Sequence, residues 1–172
     1  MTPEQLRSLQ APLKAKYKDD PAATHYAITA TGTLAADEVS CIVHSPRGSI
    51  VAGLHPATGG DGSQACSADM LLEALVACAG VTLKAVATAL GIPLANATVT
   101  ATGDLDFRGT LGVARDVPVG LSAVRLVFTI QTQAAAEQIA KLVELTERYC
   151  VIYQTLKSSP ELTAEVVINA TT

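Results

Sequence analysis

The chain has 172 residues, with Asp+Glu 16 against Lys+Arg 12, a net charge of -4, 49% hydrophobic residues and 16% charged ones. Ordinary globular chains carry about 25% charged residues, so this one is no disordered segment, and much of its surface must be buried or covered by another subunit. Its acidic balance and 3% aromatic content exclude the basic footprint and stacking platforms of a nucleic-acid binder.

Residues 1–20 lack the apolar core of a secretory signal and hold Asp and Glu that a transit peptide avoids. The expectation is a cytoplasmic, reducing setting in which Cys41, Cys66, Cys78 and Cys150 are thiols rather than staples. Thr2, Pro3 and Gln5 form a helix start, with a cap, a first-turn proline and a reciprocal partner. Leu6, Leu9 and Leu13 then recur at helical spacing, predicting an amphipathic helix over 3–16 that ends before Pro21. Three alternating, β-branched runs follow at 24–34, 38–45 and 48–55, with a tight Pro46-Arg47-Gly48 connection between the last two. Residues 56–64 read as a loop.

Residues 67–90 predict a long helix, opened by Ser67 and Asp69 and stopped by Gly91 and Pro93. Its only charges are Asp69, Glu73 and Lys84, so it is apolar almost all round. The uncharged stretch between Glu73 and Lys84 is ten residues, half of the ~20 that a membrane span needs. It therefore reads as a buried central helix, with no membrane. Strands are predicted at 95–108 and 120–132, a second helix at 134–157 and a last strand at 161–169. The second helix carries Ile139, Leu142, Val143, Thr146, Cys150 and Tyr153 on one stripe. The order α-βββ-α-ββ-α-β predicts an α+β fold with antiparallel sheets packed on two long helices. The N-terminal helix, residues 1–20, stands as an extension of a 21–172 domain.

Cys78 lies midway along the apolar helix and Cys150 on the apolar stripe of the second. If the helices pack together, both sulfurs enter one core. One thiolate there can attack a peroxide O–O bond and become a sulfenic acid, and the other can condense with it to a disulfide. Buried cysteine also serves as a small apolar filler. Spacing leaves both uses open. Other signals are weaker. The TGGDGSQ run lacks the Lys-Ser/Thr ending of a phosphate-binding loop. Cys41 and His44 sit three apart on a strand and face opposite sides, so no metal site and no cofactor are expected. Asp104 and Asp106 share a strand face, as on a solvated sheet edge.

The run SADMLLEALVACA around Cys78, the run ERYCVIY around Cys150 and the segments DLDFRGTLGV and DVPVG together resemble the OsmC/Ohr family, and the likeness covers about residues 24–169. The resemblance implies an intertwined homodimer with active sites at the subunit interface. It implies a thiol-dependent peroxidase that reduces organic hydroperoxides with a dithiol donor, Cys78 being the peroxidatic thiol and Cys150 the resolving one. Catalytic members place a Glu about ten residues before the first Cys and an Arg in the N-terminal half. Here position 68 is Ala, Asp69 follows it, and Arg47 is the one arginine between the first helix and Cys78. Asp69 and Arg47 are the expected activators, although on an unbroken helix Asp69 stands about 900° from Cys78, on the opposite side. That departure keeps a second expectation in place: an OsmC-like protein with weak or no activity that binds a small hydrophobic ligand at the dimer interface.

Overall fold

The computed structural model describes residues 1–169; the last three residues of the expected domain lie outside them. Helix α1 spans Pro3–Asp19, three residues longer than predicted. Its start is the reciprocal cap expected from Thr2 and Gln5: the Gln5 N–H donates to Thr2 Oγ1 at 3.2 Å, and the Thr2 N–H donates to Gln5 Oε1 at 2.8 Å. α1 folds back against the central helix. Pro21–Thr24 forms a 3-10 turn, closed by the Thr24 hydroxyl on the Pro21 carbonyl at 2.7 Å. That turn takes only Thr24 of the run expected as a strand, residues 25–30 join no ladder, and β1 is Thr31–Leu34.

β2, Ser40–His44, pairs antiparallel with β1 and with β3, Ile50–Gly53. The register sets Leu34, Cys41 and Ala52 in one row, and Gly32, Val43 and Ile50 two residues along. These rows share one face, which is apolar. Gly32 lacks a side chain for a reason: a Cβ there would stand 2.6 Å from Cys41 Sγ. This sheet makes no substantial packing with any helix among the described residues.

The central helix α2 spans Ser67–Leu90, as predicted. Gly91 ends it at φ 67, sending its N–H to the carbonyls of Ala87 and Thr88, a left-handed stop that glycine adopts without penalty. β4, Asn96–Leu105, leads through the short α3, Phe107–Thr110, to β5, Leu121–Gln131. β4 and β5 pair antiparallel from Asn96↔Gln131 to Leu105↔Leu121. Leu75, Ala79, Leu83 and Ala87, one row at four-residue spacing, are the buried side of α2. They pack on Val99 and Phe128 of the hairpin and on Leu142 of the next helix.

Two predicted elements need correction. The helix expected at 134–157 is two helices, α4 at Ala136–Tyr149 and α5 at Val151–Lys157, broken at Cys150, whose ψ is 108. The strand expected at 161–169 forms no ladder and is exposed, with Leu162 86%, Val166 83% and Ile168 87% accessible. Its alternation fits a sheet, but a strand is stable only when its N–H and C=O groups find partners, and no other strand of this chain is paired with it.

By length and composition α2 could cross a membrane, yet β4, α4 and α5 occupy one of its sides. α1 packs on α2 as well, while Val81, half a turn from the buried row, is 73% exposed. The chain exposes 12961 Å², whereas a compact monomer of 17.7 kDa would show about 8,000 Å².

Leu142, 0% exposed, locks α4 onto α2. Leu142→Ala is expected to destabilise the fold by about 2–5 kcal/mol, read as a lower urea midpoint; an unchanged midpoint would show that this contact is not part of the stabilising core.

Candidate functional site

The break at Cys150 builds the site. Cys150 flanks both helices: its N–H still donates to the Thr146 carbonyl at 2.9 Å, and its carbonyl accepts the first α5 bond, from the Gln154 N–H at 3.0 Å. Because the turn between them is opened, the N–H groups at the start of α5 lose their i−4 partners. Those of Val151 and Ile152 favour the ionised form of Cys78. Cys78 is half-buried and Cys150 fully buried, at 1% exposure. They share a cluster with Leu75, Ala79, Leu126, Phe128 and Tyr153. The two thiols bias each other's ionisation, and all four cysteines are free thiols.

The environments push the two thiols apart. Burial raises the Cys78 pKa, but the Ile152 N–H, the Cys150 thiol, the Val151 N–H and the Thr82 hydroxyl outweigh it and leave Cys78 below the ordinary thiol value. Burial also raises Cys150, and there the hydrogen bond and charge of Cys78 add to it, against the N–H groups of Tyr153 and Ile152. The two directions make Cys78 the thiol that ionises first. This is activation by oriented backbone dipoles, a recognised route to a reactive thiolate.

The expected activators do not enter this arrangement within one chain. Asp69 is exposed on the β4 side of α2, beside Val99 and Thr100, as its half-turn offset from Cys78 requires. Arg47 is exposed in the β2–β3 turn, where its backbone N–H donates to Ser45 Oγ at 3.1 Å. Its guanidinium has no hydrogen bond or ion pair among the described residues. Arg108 is committed to Asp106 at 2.6 Å, which holds the Asp106 carboxyl at about 2, so that carboxylate is already neutralised. Arg148 lies over the Tyr149 ring, 5.5 Å from its centroid.

The remaining sequence signals have structural uses. Cys41 fills the space over Gly32, and Cys66 is the N-cap of α2. His44 pairs with the Thr33 hydroxyl at 2.9 Å. His55 accepts the Ala57 N–H and stacks on Phe107 at 4.8 Å. Asp61 closes the glycine loop on Ser63. Among the described residues no cluster of three or more metal-ligating side chains occurs.

Sequence reasoning missed Thr82 and the freed N–H groups of α5. Thr82 sits four residues, one turn, beyond Cys78, and that spacing was the available signal. The helix break had none, because neither Gly nor Pro marks it.

With the geometry in hand, the comparisons fix the lineage. The family model for OsmC-like proteins matches residues 60–165, more than half of the chain, and the chain belongs to that family. Its fold is similar to that of an OsmC-like protein from Mycoplasma pneumoniae, with TM-score 0.65 and 20% identity over 79% of this chain and 91% of that one. It is likewise similar to an organic hydroperoxide resistance protein from Elizabethkingia anophelis, with TM-score 0.62 and 22% identity over 79% and 91%. An OsmC-like protein of unknown function from Vibrio cholerae matches with TM-score 0.57 and 14% identity over 76% and 94%. At these identities the likeness establishes the fold. No curated protein sequence matches the chain.

The asymmetry of the pair has a direct readout. In peptide-resolved iodoacetamide labelling across a pH series, Cys78 should react first, with a midpoint below that of an ordinary thiol, and Cys150 only at higher pH. The reverse order would contradict the assignment of the low-pKa thiol.

Proposed function

We propose that this protein is a homodimeric thiol peroxidase that reduces organic hydroperoxides. The observation that carries the proposal is that one packed cluster holds a half-buried thiol biased toward ionisation and a buried thiol biased against it. The Cys78 thiolate attacks the distal peroxide oxygen; the O–O bond breaks, Cys78 becomes a sulfenic acid and the alkoxide takes a proton to leave as an alcohol. The Cys150 sulfur then displaces hydroxide from the sulfenic acid, forming the disulfide and releasing water. A dithiol returns two electrons and two protons to restore both thiols, as a cytoplasmic reductant would. The activation proposed here uses backbone N–H groups in the place of Asp69 and Arg47.

The dimer follows from surface. The chain exposes about 5,000 Å² more than a compact monomer of its mass. Over two protomers that surplus is about 10,000 Å², more than even a large obligate interface of about 2,000–5,000 Å² buries, so a second copy would cover part of it. Exposed apolar side chains that such a copy could cover include Val81 of α2, Leu34 of the three-stranded sheet and Leu162, Val166 and Ile168 near the C-terminus. Val81 is one turn from Cys78, so a second copy placed there would wall the reactive sulfur.

One observation favours the second reading, a hydrophobic-ligand binder. A cavity of about 780 Å³ lies between β5 and the helices, lined by Leu71, Leu75, Leu126, Phe128 and Tyr153 among others, and no cation accompanies Cys78.

With dithiothreitol as donor, the purified protein should consume cumene hydroperoxide. Cys78→Ser should abolish turnover, and Cys150→Ser should leave Cys78 trapped as a sulfenic acid that takes up one dimedone. No consumption by fully reduced protein, together with a bound apolar molecule retained equally in Cys78→Ser, would replace the peroxidase by the binder.

In sedimentation the native mass should be twice the 17.7 kDa of the chain. Val81→Glu should shift it toward the monomer, because an unpaired charge inside an apolar interface is strongly unfavourable. A monomeric wild type would remove the interface.

A further inference from the structure

We draw no further inference here: the strongest candidate, the cavity of about 780 Å³ between β5 and the α4 and α5 helices, is walled by Leu75, Leu126, Phe128 and Tyr153 of the cluster that holds the two thiols and belongs to the site already described.

Discussion

A negative charge on a sulfur inside a protein persists only when something in the protein answers it, because leaving water disfavours the ionised form. In this fold the answer comes from main-chain N–H groups. α4 stops at Tyr149 and α5 begins at Val151, and the donors released by that interruption favour the ionised form of Cys78. The remaining features of the site are arranged around this solvation. Thr82 supplies a hydroxyl from the same face of α2, and Cys150 supplies a thiol proton. Continuous helix through Cys150 would keep those donors for itself, and Cys78 would be one more small apolar side chain.

The second constraint is the mismatch between composition and covering. A helix with three charges in 24 residues needs apolar neighbours all round, yet Val81 at its middle is 73% exposed. The three-stranded sheet has an apolar face with nothing against it, and the 161–169 segment alternates like a strand without a ladder. These are complementary shortages. Each is a surface lacking a counterpart, which the proposed second copy would supply.

Much of this was legible in sequence because it depends on local patterns. Thr2, Pro3 and Gln5 announce α1, the apolar run bounded by Gly91 and Pro93 gives α2, and the alternating runs locate all five observed strands, if too generously. Cys78 and Cys150 could be singled out by lying on apolar helical positions, and their resemblance to a known pattern gave them roles. What escaped is non-local. The interruption at Cys150 has no Gly or Pro, and the apolar period runs through it, so only packing of α5 against α2 decides it. The last strand was misplaced for the opposite reason: its pattern is a strand's, but pairing depends on a partner that pattern cannot supply. Asp69 was proposed by analogy of position, while its angular offset on the helix already placed it on the far side.

The gathering of two cysteines 72 residues apart into one cluster carries a mechanical implication. In the proposed cycle, joining them would fasten the midpoint of α2 to the α4–α5 junction and close a loop worth about 4 kcal/mol in unfolded-state entropy. Catalysis would then alternate between a clasped and an unclasped molecule, and the reductant would act as the agent that restores suppleness to the hinge as well as electrons to the thiols.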